Sequence, residues 1–309
     1  MILRYEHLTK YEKVFQSMTG LWVFLFDELV DEIEPQFVEA DRERLERAER
    51  QRAIGGGKSP ELEMRDQLLL TVVWLRCYPK QHVLGYLFGV SQATVSRTIH
   101  FVLPLLEASG RDTMRMPDPG RKRRRALDEL LADTPELAII IDTFEQRVQR
   151  PQGERKQADA YYSGKKKQHT LKSQVAIDEE TGMIVDVAES VPGPQSDIKT
   201  LETSGLLERL PDGIGALADL AYVGINKLHP DGLCPIRKPK GQPRTPEQIA
   251  YNTAFSRRRI PVEHSIGRLR RFESLSQTDR QHRQNHTARV TAVAGLVNRR
   301  LRLRFPLVA

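Results

Sequence analysis

Apolar and polar positions follow a helical period through the first third of the chain and a strand-like period later. Up to about residue 50, Phe15, Leu21, Phe24, Leu25, Leu29 and Val30 recur at helical spacing, punctuated by Thr19-Gly20 and trailed by a charge-laced stretch from Asp41 to Arg52. Such helices either pair with another copy of the chain or form a solvated helical hairpin. Leu62 to Cys77 predicts an apolar helix stopped at Pro79, and Gln81 to Phe88 a short second helix ending at Gly89. Ser91 then caps a third helix. From residue 137 the period changes. A strand is predicted over 137–144, in which the buried run Leu137-Ala138-Ile139-Ile140-Ile141 delivers Asp142 at its far end.

Further strands are predicted near 168–177 and 183–190 around a turn at Glu179-Glu180-Thr181-Gly182, with 183–187 pairing back onto 170–176 as a hairpin. A helix at about 197–209 capped by Ser196, a strand ending at Asp219 and a short strand near 232–236 come next. Thr245-Pro246-Glu247-Gln248 is a capping-box pattern with Pro at the first helical position. Three strands in a meander, then helix, strand and helix, make an α/β arrangement with a mixed sheet, preceded by an all-α region.

The helices of residues 61–107 carry the first chemical signal. A short helix, a tight turn at Gly89-Val90 and a helix opening with Ser, Gln, Thr and Arg make a helix-turn-helix pattern. Val95 and Ile99 face its core, while Gln92, Thr94, Ser96 and Arg97 are placed to meet base edges and phosphates. A purely structural bundle has the same punctuation; the charge of the chain favours DNA contact. The 309 residues hold 48 Lys and Arg against 41 Asp and Glu, a net +7, which suits a polyanionic partner.

Composition excludes several classes. Cys77 and Cys234 stand alone, so neither a disulfide framework nor a zinc site follows from their spacing. The longest apolar run, Leu68 to Leu75, is too short to span a bilayer, and the first residues lack a secretory core. The expectation is a soluble cytoplasmic protein, nucleoid-associated in a bacterium. Ile54-Gly55-Gly56-Gly57-Lys58-Ser59-Pro60 lacks the spacing and preceding strand of a phosphate loop and reads as a linker. Arg121-Lys122-Arg123-Arg124-Arg125 reads as a phosphate-neutralising run at the border between the helical and the mixed region.

Asp142 and Asp219 each close an apolar run, where an unpaired carboxylate is costly, and Glu263 sits in a basic helix with Val262, Ile266 and Leu269 as apolar positions. One reading is ion pairing with Arg257 to Arg259, Arg268, Arg270 and Arg271. The other is three hard oxygen ligands for Mg²⁺ or Mn²⁺. Two such ions would activate an attacking water or 3′-hydroxyl and steady the leaving oxygen.

Ile141-Asp142 with Glu145 and Arg150-Pro151, the string Tyr161-Tyr162-Ser163-Gly164-Lys165-Lys166-Lys167-Gln168-His169-Thr170, and Pro192 to Asp197 resemble the DDE transposases of bacterial insertion sequences. The resemblance continues through Asp219-Leu220-Ala221-Tyr222-Val223-Gly224 and Arg259 to Arg268, and ends near Val297-Asn298. The branch it points to is insertion-sequence family five, related to harbinger elements. It implies a ribonuclease-H-like mixed sheet with flanking helices, with catalytic and metal-binding Asp142, Asp219 and Glu263 and a pair of Mg²⁺ or Mn²⁺ ions.

Around the glutamate the family sets a Tyr seven positions before, an Arg four before and a Lys seven after. Here these are Ser256, Arg259 and Arg270, while Phe144 stands where Thr is usual and Pro261 falls inside the helix. Arg259 and Arg270 are expected on DNA. Lys165, Lys166 and Lys167 are either a charged hairpin edge or phosphate contacts, and the resemblance favours the second. Asp197 is expected to support a helix N-terminus, and His169 and His264 to be hydrogen-bonding neighbours of the motifs. Arg299 to Arg304 are either phosphate contacts or a basic tail.

The implied organisation is a helical segment over 1–53 available for dimerisation, a linker over 54–60 and a helix-turn-helix domain over 61–115. A basic linker over 116–134 and a catalytic domain over 135–309 follow. The implied activity is cutting of element ends and joining of the 3′ ends to target DNA. The partners would be terminal inverted repeats and target DNA, with a homodimer or higher oligomer on them. A DNA-binding regulator without catalysis and an endonuclease without strand transfer are the alternatives.

Overall fold

The computed structural model describes residues 3–46, 60–152 and 158–305. The linker read over 54–60 lies outside these residues except for Pro60. Six helices come first: α1 (Tyr5–Leu8), α2 (Glu12–Thr19), α3 (Val23–Leu45), α4 (Met64–Cys77), α5 (Gln81–Phe88) and α6 (Gln92–Asp112). The α3 stripe Leu25, Phe26, Leu29, Val30 and Ile33 is buried within the chain, so the apolar face of the first segment is covered by its own α4 and α6.

The α5–α6 junction is as tight as its sequence implies. Gly89 adopts φ 64°, and a Cβ on Gly85 would lie 2.7 Å from the Val90 carbonyl oxygen. Ser91 Oγ accepts from Thr94 N at 3.0 Å, and Val95 and Ile99 are buried.

The second half is a mixed sheet of β1 (Leu137–Arg147), β2 (Tyr162–Ser163), β3 (Gln168–Asp178), β4 (Ile184–Val187), β5 (Val191–Pro192), β6 (Ile214–Leu217) and β7 (Gly232–Leu233). The order is β2-β3-β1-β6-β7, with β4 and β5 also on β3. β1 runs antiparallel to β3 and parallel to β6. Three helices flank it: α7 (Asp197–Ser204), α8 (Pro246–Leu269) and α9 (His286–Arg302).

Several boundaries move from their predicted places. β1 does not end at Phe144 but runs on to Arg147, because Phe144 and Gln146 keep the burial alternation going and β3 supplies partners as far as Thr170. The strand predicted over 183–190 shortens to β4, and β5 follows beyond it as a separate short strand. The helix predicted over 197–209 stops at Ser204, where Gly205 turns left-handed with φ 63°, and the Ser196 side chain makes no capping bond. The strand before Asp219 ends at Leu217, which leaves Asp219 to cap a short turn at Leu220–Tyr222. The capping box at Thr245 forms as predicted, and α8 continues through Pro261.

The helical region and the sheet share one core. α9 packs along α6, and a Cβ on Gly295 would lie 2.4 Å from the Gly110 Cα. Charges stitch the same seam. Arg299 pairs with Glu32 at 2.6 Å and bonds Ser109 at 2.7 Å, Arg302 pairs with Glu28, and Arg300 lies over the Trp22 ring at 4.9 Å. Arg299, Arg300 and Arg302 are therefore internal ties, while Arg304 is exposed.

The basic run at 121–125 is partly engaged, which corrects its reading as a phosphate-facing stretch for Arg121 and Arg123. Arg121 pairs with Asp178 at 2.8 Å, and Arg123 grips Glu179 through two bonds of 2.9 and 2.8 Å. The acidic turn at the end of β3 draws them in, and Lys122, Arg124 and Arg125 stay exposed. Among the described residues no helix is long and apolar enough to cross a membrane.

Candidate active site

Two of the three acids singled out by sequence line one cleft of about 650 Å³, and the third, Asp219, stands beside it, close enough for its charge to act on Asp142. Asp142 and Glu263 line it, together with Glu145, Lys172, Asp197 and Arg270. Asp142 is carried mid-strand on β1, which is paired on both sides, by β3 and β6. Its Oδ1 accepts from Thr143 N at 2.8 Å and its Oδ2 lies 3.4 Å from Arg259 Nη2. Asp219 follows β6, the parallel neighbour of β1, and its side chain accepts from Ala221 N at 2.9 Å, with Ala221 on the cleft wall. Glu263 is exposed on α8, one turn beyond Arg259.

Electrostatics mark Asp142 out. Its side chain is 21% exposed, and burial pushes its pKa up to about 6. The Thr143 N–H and Arg259 pull the other way, and the charges of Asp219 and Asp197 add to the rise. Tyr222 is buried beneath the same charges. Burial and then Asp197, Asp142 and Asp219 hold its phenol well above the usual range.

Sequence reasoning missed part of the wall. Lys172 is a buried lysine whose Nζ donates to Asp197 Oδ1 and to the Gln195 carbonyl, both at 2.5 Å. Asp197 opens α7, as expected, but its carboxylate is turned to Lys172. Thr170 donates to Glu145 at 2.6 Å, and Gly193 packs so closely on Thr170 that a Cβ there would clash at 1.9 Å. The only sequence signal was a charged residue inside an apolar strand.

The predicted cations divide. Lys165, Lys166 and Arg270 reach the cleft, whereas Lys167, with φ 54°, turns to a separate hollow. Arg259 is directed inward to Asp142 rather than outward, and its Nε is buried without a partner. Gln92 and Arg97 are exposed on the first turns of α6, and Thr94 and Ser96 are half-buried there.

Hard carboxylate oxygens crowded enough to raise a neighbour's pKa are the donor set that suits a divalent cation. Yet among the described residues no three acid, histidine or cysteine side chains are drawn closely enough to hold an ion. The convergence expected of Asp142, Asp219 and Glu263 therefore stops at a shared cleft. Like charges repel, and Arg259 takes one oxygen of Asp142.

The family model for DDE superfamily endonucleases matches residues 141–298, and that for their helix-turn-helix matches 60–112. The chain is 30% identical over 290 residues to the probable transposase for insertion sequence element IS702 of Microchaete diplosiphon, covering 94% of this chain and 95% of the relative. It is 25% identical over 225 residues to a candidate transposase for insertion sequence element IS112 of Streptomyces albus G, covering 72% and 75%. No solved structure gives a significant match. DDE superfamily endonucleases use divalent metal ions. This chain belongs to the DDE endonuclease superfamily, in the company of insertion-sequence transposases.

Proposed function

We propose that the protein cuts the ends of an insertion sequence by phosphodiester hydrolysis and joins the freed 3′ ends to target DNA, with Asp142, Asp219 and Glu263 as its catalytic acids. The observation that carries this reading is the raised pKa of Asp142 beside Asp219 and Asp197, in a cleft that also holds Glu263. These three acids would hold Mg²⁺ or Mn²⁺, two ions in the full reading, which supply activation of the attacking oxygen and support of the leaving one.

The chain's own residues do the rest. The Thr143 N–H and Arg259 keep Asp142 oriented and favour its ionised form. Lys165, Lys166 and Arg270 bind backbone phosphates on the cleft side, and Lys172 holds Asp197 and the 193–197 wall against the sheet. Gln92, Thr94, Ser96 and Arg97 meet the terminal repeat. Two ends are cut together, so a homodimer or higher oligomer forms on DNA.

The experiment is incubation with a duplex carrying the DNA that flanks the gene, plus Mg²⁺ or Mn²⁺, beside Asp142→Asn. Metal-dependent nicking that the variant lacks supports the reading, and joined products separate a transposase from a plain endonuclease. Binding without nicking by the unmodified chain would leave a DNA-binding regulator, a reading favoured by the Arg259–Asp142 ion pair.

A further inference from the structure

Most conspicuous arginines of the chain are spent on internal acids. Arg121 and Arg123 are held by the 178–180 turn, Arg258 by Glu179, Arg289 by Asp279 and Arg299 by Glu32. Arg147 and Arg150 beyond the cleft end of β1, and Lys167 at the β2–β3 tip, are different. All three are exposed, and none is ion-paired among the described residues. With Tyr162, His169 and Thr278 they surround a second hollow of about 450 Å³.

The hairpin tip divides this hollow from the acidic cleft. Lys165 and Lys166 stand on the cleft side, and Lys167 on the other. Tyr162 is 44% exposed and its ring stands edge-on to His169 at 5.5 Å. The framework below is firm. Arg147 pairs with Thr170 in the β1–β3 ladder, Val148 N donates to the His169 carbonyl at 2.9 Å, and Asp279 N to the Arg147 carbonyl at 2.8 Å. Unpaired cations with an exposed tyrosine hydroxyl between them, set on a rigid sheet beside the acidic cleft, fit the phosphate oxygens of a DNA backbone.

We propose that this hollow is a second DNA-contact surface, gripping the backbone of the duplex that flanks the scissile bond. The proposal rests on reading the Asp142 cleft as the cutting site. Arg147 is five residues beyond Asp142 on β1, roughly 17 Å along the strand. At about 3.4 Å per phosphate along one DNA strand, the grip falls roughly five nucleotides from the cut.

The test uses the full chain in metal-free buffer, with the duplex that flanks the gene as probe, and compares it with Arg147→Ala/Arg150→Ala, Lys167→Ala and Asp142→Asn. The salt dependence of Kd and the hydroxyl-radical footprint are read together. Loss of two phosphate contacts should flatten the log–log salt slope by about 2, at about 0.9 per contact, and erase protection roughly five nucleotides from the cut. Lys167→Ala should give about half that change. Arg147→Lys/Arg150→Lys should restore the slope, and Asp142→Asn should keep slope and footprint. A double alanine variant that melts like the parent and keeps both slope and footprint overturns the proposal. Altered slope and footprint in a chain that never nicks DNA would uphold this surface and remove only the catalytic reading.

Discussion

The chain builds two acidic clusters and treats them in opposite ways. Asp178, Glu179 and Glu180, at the end of β3, are met by Arg121, Arg123 and Arg258, with Glu179 holding two guanidiniums at 2.7–2.8 Å. Asp142, Asp219, Asp197 and Glu263, around the cleft, share Lys172 and one long contact to Arg259. Both clusters are assembled by the same sheet. The first is neutralised and serves to fasten the 121–125 segment and α8 to it. In the second, Asp219 and Glu263 make no ion pair among the described residues, although Lys165, Lys166 and Arg270 also stand at the cleft, and acids left without direct partners are what a stable fold alone would not select.

Arg258→Ala offers the largest break in this contrast. Its side chain is 3% exposed, and its removal takes one of the two guanidiniums from Glu179 and the donor from Thr134 Oγ1 and the Pro135 carbonyl, so chemical denaturation should show a loss of about 3–5 kcal/mol. A loss below 1 kcal/mol would mean that the first cluster is not a fastening.

Asp142→Asn should act with the opposite sign. The carboxyl holds its proton more tightly in the folded chain, with a pKa of about 6, than in the unfolded one at 3.8. Ionising it therefore costs folding stability as pH rises from about 4 to 6, and the cost is complete above that. The variant should gain about 3 kcal/mol at pH 7, a gain that fades below pH 6 and is gone near pH 4. A destabilised variant at pH 7 would show that Asp142 is not a strained charge.

In the proposed reaction Asp142 works ionised. Cleavage at subsaturating Mg²⁺, where the metal-free carboxyl sets the profile, should therefore fall about tenfold per pH unit below the Asp142 midpoint near 6, and Arg259→Gln should move that midpoint upward. A pH-rate profile flat from 5 to 8 would disconnect Asp142 from the chemistry. The smallest effect is expected for Arg121→Ala, whose side chain is 28% exposed. Its loss should cost about 1 kcal/mol or less in a thermal melt.

Local chemistry made much of this legible. The capping box at Thr245, the Ser91 cap and the Gly89 turn each depend on residues within a few positions, and each formed where the sequence put it. The order of the acids on β1, after β6 and on α8 followed from the motifs. What escaped depends on distant partners. Gln146 extends β1 as a buried polar residue because Ser274 and Gln277 carbonyls accept from its amide and His286 bonds its oxygen. Arg121 and Arg123 were read as facing phosphate because nothing near them in sequence reveals the acidic turn they meet. Arg259 was placed on DNA, although the fold aims it at Asp142 from a different element.

The contact of Gly110 with Gly295 has a mechanical consequence. It clamps the tail of α6 to a helix lying on the sheet, while the head of α6 carries Gln92 and Arg97. The 21 residues of that helix make a bar of about 31 Å with one end clamped and the other carrying the residues proposed to meet the terminal repeat. A bar of fixed length between reader and blade is a yardstick, so the offset between a recognised sequence and the bond broken would be counted off by the protein, whatever bases lie between.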